Sequence, residues 1–474
     1  MSGQIGFKTK VVYGFGNASN GIKESAFSSF LIFYYVQVVG VSASLAGFVA
    51  LCALAVDAIS DPVIGHWSDR FRSRWGRRHP FMYASALPLG LSMYFLFSPP
   101  EGLEGSAAFL WMLVFAVSVR LWISFYAIPS SAMLAEMTSD YHERTRIVNL
   151  RGLFSWSGGI GLSFIAYRIL FQPTDAYADG RLNPEAYQTY GLLAAFAIII
   201  SILLSSLGTH HLIPILIRRM PEPGAIRGIF TEFRSIFQTT AFRILFLATL
   251  IGSVTNGVLD TLRLFVNTYF WGFSSEQLSL LLFGMIGGMV TSFLCLRFLS
   301  HKTEKKPLIL LFMAITVVAW TLPIVMRLAG LLPENGTQAL FVIIFLATGA
   351  QAFGGFGAIA MAASMLADVV DVHHLSSGSR LEGMHFSTFA FSAKATTGIG
   401  GFIAGIGLDL ISFPAKAEPG QVPADTIFAL GVMNALVVGV TLCLSLLLLV
   451  RYPIDKNRHS EVLAALRLER KLSQ

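Results

Sequence analysis

Apolar residues fall in long stretches along this chain, each near the roughly 20 residues that a helix needs to cross a hydrocarbon layer, and short polar connections separate them. In the first half the stretches lie at about 12–38, 43–66, 80–99, 106–135, 147–171 and 188–217. In the second half they lie at about 241–270, 276–299, 307–327, 336–366, 384–412 and 426–451. About twelve transmembrane helices are therefore expected, and an all-α membrane bundle, because in lipid every backbone group must be bonded within its own segment. The expected organisation is a six-helix half over 1–217, a Pro- and Arg-containing connection over 218–243 with one surface helix, a second half over 244–451 and a tail over 452–474.

Composition sharpens this picture. Of 474 residues, 54% are hydrophobic and 13% charged, where soluble domains carry about 25% charged residues. The net charge of +7 does not point to nucleic acid, because the basic residues sit in short loops between apolar runs. Arg70, Arg72, Arg74, Arg77 and Arg78 follow the second stretch, Arg144 and Arg146 the fourth, and Lys302, Lys305 and Lys306 the eighth, while the alternate loops are poor in Lys and Arg. By the positive-inside rule both termini face the cytoplasm of an inner or plasma membrane. Cys52, Cys295 and Cys443 lie within apolar runs, so neither a disulfide framework nor a zinc site is expected. No cofactor, nucleic-acid partner or obligate protein partner is expected; the bilayer and a small-molecule substrate are.

The chain also repeats itself. Ser131-Ala-Met-Leu-Ala-Glu136 closes the fourth stretch and Ala363-Ser-Met-Leu-Ala-Asp368 the tenth, an offset of 232 residues. Two six-helix halves related by an axis along the membrane normal are the architecture of the major facilitator superfamily.

Ionisable and polar residues inside the stretches mark candidate chemistry, since each is costly in lipid. Asp57, Ser60 and Asp61 stand at i, i+3 and i+4 on one helix face. Two carboxylates one turn apart repel unless a cation such as Na⁺ or a proton relieves them, and Pro62 frees the Ala58 carbonyl as another oxygen ligand. The competing reading is a capped or kinked helix end paired with a basic residue. Asn17, Asn20 and Glu24 form a stripe in the first stretch, Arg120 and Ser124 lie a turn apart in the fourth, and Asn256, Asp260, Arg263 and Asn267 are helically spaced in the seventh. Such stripes suit a hydroxyl-rich ligand; interhelical hydrogen bonding explains any one of them equally well. Arg151 and Lys394 are further intramembrane cations. His373 and His374 read as loop residues, and His66, His79 and His385 show no metal-site spacing.

Several motifs carry a family resemblance. Tyr13-Gly-Phe-Gly16, Asp57-Ala-Ile-Ser-Asp-Pro-Val-Ile-Gly65, Ser68-Asp-Arg-Phe-Arg-Ser-Arg-Trp-Gly-Arg-Arg-His-Pro80, Ile128-Pro129, Tyr141-His-Glu-Arg-Thr-Arg146, Asn149-Leu-Arg151, Ser364-Met-Leu-Ala-Asp-Val-Val-Asp371 and Leu381-Glu-Gly383 resemble the glycoside–pentoside–hexuronide:cation symporters, the melibiose-permease-like branch of the major facilitators. The resemblance implies a cation-coupled (Na⁺ or H⁺) symporter of a sugar, glycoside or uronide. It places cation ligands at Asp57, Ser60, Asp61 and Ser124, with Ser60 and Ser124 standing where Asn and Thr occur in the sodium-coupled sugar permease. Arg151 and Lys394 match positions facing the central cavity. The motif around Asp69 and Arg70 resembles the superfamily's cytoplasmic gate, with Glu136, Asp140, Glu143 and Arg144 as its other charges. The chain departs from the sugar permeases at Gly21 and Ala127, where they carry acids. Loss of those acids beside Arg151 and Lys394 leads one to expect that a carboxylated sugar binds better than its neutral parent. The runner-up is a carrier of a lysolipid or another amphiphilic anion. An aspartate-rich membrane enzyme and a channel both fit the twelve-span repeat poorly.

Overall fold

In the computed structural model the described residues are 5–138, 140–218, 229–378 and 381–472, and they are helices and connections. Nine described helices are long and apolar enough to span a membrane: Ala43–Arg70, Gly105–Met137, His142–Leu170, Pro184–Leu212, Thr240–Phe270, Ser275–Ser300, Lys305–Leu328, Gln338–Ser377 and Ala424–Val450. The three other expected spans are present as helices packed among them. His79–Leu96 has only 18 residues. Glu382–Leu410 occupies the place of span eleven. Span one runs over 7–39 in pieces, Phe7–Phe15, Ala18–Ser25 and Ile32–Tyr34, joined and ended by π-helical turns at Ala26–Leu31 and Tyr35–Val39. Its middle carries Asn17, Asn20, Lys23 and Glu24, which lowers its hydropathy. The spans are numbered one to twelve in chain order below.

Packing follows the repeat. Span one lies against spans five and six, two against four, and three against four and six; in the same order seven lies against eleven and twelve, eight against ten, and nine against ten and twelve. Each of these first-half pairings thus recurs six spans later. Across the halves, spans two and eleven meet backbone to backbone. A Cβ on Gly47 would lie 2.7 Å from the Gly401 carbonyl oxygen, and one on Gly405 would lie 2.2 Å from that of Ala43. Asp409 then caps span two, accepting from the Ala43 and Ser44 amides at 3.2 and 2.9 Å. The equivalent pair, spans five and eight, touches at Phe164–Phe283, 5.6 Å between ring centroids, and through the Arg168–Glu276 ion pair.

Those contacts lie toward the far end of the bundle, opposite the end where Phe7, Tyr141, Thr240 and Lys456 begin their helices. The far end is sealed across the two halves. Phe33 and Phe265 stack edge to face at 5.0 Å. Buried Gln37 donates to the Pro414 carbonyl at 3.1 Å. The Tyr269 hydroxyl donates to Gln37 Oε1 at 3.0 Å and lies 2.8 Å from the Ala417 carbonyl. Gln37 and Tyr269 are 232 residues apart, the offset of the repeat, so symmetry-related positions bond to each other across the axis. At the terminal end the described ion pairs join groups within one half or bind the tail to its own half.

Two expectations are corrected. Span ten does not stop near 366. It continues as helix to Ser377 and is ended by Gly378 at φ 70. His373 is therefore no loop residue: it is buried, its Nδ1 lies 3.2 Å from Thr239 Oγ1, and its ring packs 5.0 Å from His385. Its polar neighbours suggested a loop, whereas packing against the start of span seven keeps the helix going. The connection between the halves holds a helix at Ile229–Ile236, and span seven begins at Thr240, beside the start near 241 read from the apolar pattern.

Candidate functional site

A cavity of about 570 Å³ lies between the halves beneath the far-end seal. Span one contributes Glu24, Ser25 and Ser29, span five Trp156, Ser163 and Tyr167, and span seven Asn256, Asp260, Arg263 and Asn267. The second half adds Trp271, Thr316, Trp320, Thr348 and Gln351. Polar and aromatic groups thus converge from both halves. Arg263 pairs with Asp260 at 2.8 Å and its guanidinium lies 5.9 Å from the centre of the Trp320 ring. Trp156 meets Phe356 edge to face at 5.0 Å.

Of the expected substrate residues, Glu24, Asn256, Asp260 and Arg263 line this cavity, whereas Asn17, Asn20, Arg120 and Arg151 are not among its lining residues. Asn17 donates instead to the Arg151 carbonyl at 3.0 Å, which is the interhelical role considered for the stripe. Asn20 is half-buried, and its main-chain N–H donates to the Asn17 carbonyl. Arg151 donates to the Tyr13 hydroxyl at 3.1 Å and to Ser131 Oγ at 3.0 Å, with its guanidinium 5.3 Å from the Tyr13 ring centre. It ties spans one, four and five together. Lys394 falls within the helix Glu382–Leu410, and its side chain lies outside the described residues.

Glycine explains one departure from the sugar permeases. A Cβ on Gly21 would lie 1.7 Å from the Ser155 carbonyl oxygen, so span five occupies the space in which an acidic side chain would sit. Gly158 and Gly159 make the same close approach from the other side.

Beside the cavity, the candidate cation ligands come together on spans two and four. Asp57 and Ser60 are buried, and Ser60 Oγ has no hydrogen-bond partner among the described residues. Ser124 Oγ donates to Asp61 Oδ1 at 2.6 Å. Arg120, one turn before Ser124, donates through Nη1 to Asp57 Oδ2 at 3.0 Å. Among the described residues no three His, Cys, Asp or Glu side chains converge as a metal site. The oxygens of Asp57, Asp61 and the two serines suit a monovalent cation or a proton. Sequence reading missed Lys23: it is buried and ion-paired with Glu24. Its signal was present, as a Lys followed directly by Glu in the middle of a span.

The expected gate resolves into a clamp within the first half. Arg78 reaches Glu136 Oε1 through Nε and Nη2 at 3.1 and 2.9 Å, and Arg77 adds a contact at 2.8 Å. Arg78 also binds Asp69 at 2.5 Å. Lys305 holds Asp368 at 2.7 Å in the second half, so the repeated acids at positions 136 and 368 serve the same contact between the third and fourth spans of each half. Asp140 caps span five, accepting from the Glu143 amide at 2.6 Å, while Glu143 pairs with Lys10 at 2.6 Å. Arg70 and Arg144 are exposed and are outside the clamp.

Comparison with known proteins agrees with this architecture. A family model described as MFS/sugar transport protein matches residues 12–456. An uncharacterized symporter of Synechocystis sp. is 26% identical over 97% of this chain and 96% of its own. A putative glycoside/cation symporter of Escherichia coli is 25% identical over 88% and 85%. The fold matches that of the E. coli xylose transporter XylE in its inward-open conformation with a TM-score of 0.61 at 14% identity, covering 97% and 99% of the two chains.

Proposed function

The chain belongs to the MFS/sugar transport protein family, and from that premise we propose that it is a cation-coupled symporter of a sugar or glycoside working by alternating access. The observation that carries the proposal is the cavity between the halves. Its size falls in the usual range for small-molecule sites, about 300–1,000 Å³. Its walls combine the indoles of Trp156, Trp271 and Trp320 with the amides and carboxylates of Asn256, Gln351, Glu24 and Asp260. Flat aromatic faces cover the C–H faces of a sugar ring, and amides and carboxylates bond its hydroxyls.

The same wall favours a neutral glycoside over a uronide. Arg151, one of the two cations behind the expectation of a carboxylated sugar, is engaged by Tyr13 and Ser131. The charged groups of the described lining are Glu24 and Asp260 against Arg263 alone. Asp57, Ser60, Asp61 and Ser124 form the cation site, for Na⁺ or H⁺. The basic loops place both termini in the cytoplasm of an inner or plasma membrane. The sealed far end then faces outward, and this structure is an inward-facing state.

A thermal-shift screen of the purified protein against neutral glycosides and uronides, with and without Na⁺, tests the substrate class. Stabilisation by a neutral glycoside, strengthened by Na⁺ or by lower pH, is expected. Stabilisation by lysolipids and by no sugar contradicts the reading.

A further inference from the structure

The Arg120 guanidinium sits between two acids that belong to different sites. Its Nη1 lies 3.0 Å from Asp57 Oδ2 on span two and 3.9 Å from Glu24 Oε1 on span one. Arg120 and Asp57 are both buried. The Phe27 ring centre lies 4.7 Å from the guanidinium carbon, shielding it from water. A charge so placed needs an anion at hand. Asp57 belongs to the candidate cation site, together with Asp61, Ser124 and the buried Ser60. Glu24 lines the substrate cavity and is bound from behind by buried Lys23.

A cation arriving at the Asp57–Asp61 face meets a positive charge already bound to Asp57. The two compete for one carboxylate. A guanidinium released from Asp57 has Glu24 as its nearest described acid, less than an ångström beyond hydrogen-bond reach. Glu24 is in turn shared with Lys23, so moving Arg120 toward it alters the charge that the cavity wall presents to substrate.

We propose that Arg120 is a tethered counter-ion: it holds Asp57 while the cation site is empty, and the coupling cation displaces it toward Glu24, so that occupancy of the cation site resets the substrate wall. This rests on the reading of Asp57 and Asp61 as the cation site. Arg120 is a positioning residue in this scheme, acting on substrate through Glu24. By linkage, substrate that engages Glu24 must change cation affinity by the same factor that the cation changes substrate affinity.

The charged groups facing the guanidinium are Lys23 and Glu24 from span one and Asp57 and Asp61 from span two. Asp260 and Arg263 of span seven stand on the same cavity wall as Glu24. Lys394 of span eleven has its side chain outside the described residues.

The test is a titration of full-length purified protein with NaCl at constant ionic strength and, in parallel, with pH from 5 to 9. It reads tryptophan fluorescence from the cavity indoles together with thermal stability. Wild type gives a midpoint with one of the two cations. Arg120→Gln removes the competitor and lowers the Na⁺ midpoint at least tenfold, or moves the proton midpoint at least one pH unit upward. Arg120→Lys keeps a competing charge and stays within about threefold of wild type, which controls for general damage. Asp57→Asn abolishes the response.

A midpoint in Arg120→Gln that is unchanged or weakened, with Asp57→Asn silent, overturns the tethered counter-ion and leaves the cation site standing. Should Arg120→Gln fail to fold, an Arg120→Lys midpoint more than tenfold weaker than wild type overturns it equally. Asp57→Asn titrating like wild type overturns the cation-site reading itself, as does a wild type that responds to neither Na⁺ nor pH.

Discussion

Tyr269→Phe removes one oxygen and no ring, at the point where the far-end seal is polar. The lost hydroxyl lies 3.0 Å from Gln37 Oε1 and 2.8 Å from the Ala417 carbonyl, and all three residues are buried. Gln37 Oε1 keeps the Ala417 amide at 3.0 Å, so the unmet group left behind is the Ala417 carbonyl. The hydroxyl has one proton to share between two acceptors, so it is counted as one hydrogen bond, about 0.5–1.5 kcal/mol net. The bond to Gln37 crosses the halves and must break when the far end opens, so the loss falls on the sealed state. At about 1.4 kcal/mol per tenfold, the open fraction rises roughly two- to twelvefold. The assay places a cysteine at Ser29, in the cavity wall beneath the seal, after replacing Cys52, Cys295 and Cys443. A membrane-impermeant maleimide applied from the far side then labels the Tyr269→Phe protein roughly two to twelve times faster. Labelling no faster than through the unmutated seal refutes the reasoning: the bond would then not distinguish the two states.

Two further predictions concern the clamps and the topology. Glu136→Gln removes the carboxylate that buried Arg77 and Arg78 share, leaving Arg78 only Asp69, and should cost about 3–5 kcal/mol; Asp368→Asn, whose partner Lys305 is 40% exposed in its side chain, should cost clearly less. Thermal unfolding of the two variants side by side checks the order, and an equal or reversed loss contradicts the account of the clamp. In intact cells an impermeant thiol reagent should reach a cysteine placed beside Asp179 or Glu334 and miss one beside Arg74 or Lys305; labelling at Arg74 reverses the orientation.

The fold was legible in the sequence because its cause is one-dimensional. A bilayer demands apolar runs of a given length, and a duplicated bundle leaves paired motifs such as those ending at Glu136 and Asp368. Helix ends were less legible. The terminal turns of span ten look polar in sequence and are ordered by what they touch, Thr239 and His385. The shared face of Asp57, Ser60 and Asp61 was legible because they lie on one helix, where spacing alone sets geometry. The lining of the cavity was legible only in part, since it joins several spans. No spacing rule brings Trp156 to the same cavity as Trp320, or sends Arg151 to Tyr13 instead of into the open space. Gly21 shows the converse: the absent acid was visible in sequence, but its reason, the Ser155 carbonyl, belongs to a neighbouring helix.

The central claim is that Asp57 and its neighbours harness a cation gradient to move substrate. The most direct test is uptake by proteoliposomes of a glycoside that the stability screen identifies, under an imposed inward Na⁺ or proton gradient. The account predicts accumulation above the external concentration in wild type, collapse of that accumulation when the gradient is dissipated, and equilibration without accumulation in Asp57→Asn. Accumulation that persists undiminished in Asp57→Asn, or wild-type uptake that never exceeds equilibrium under either gradient, would contradict it.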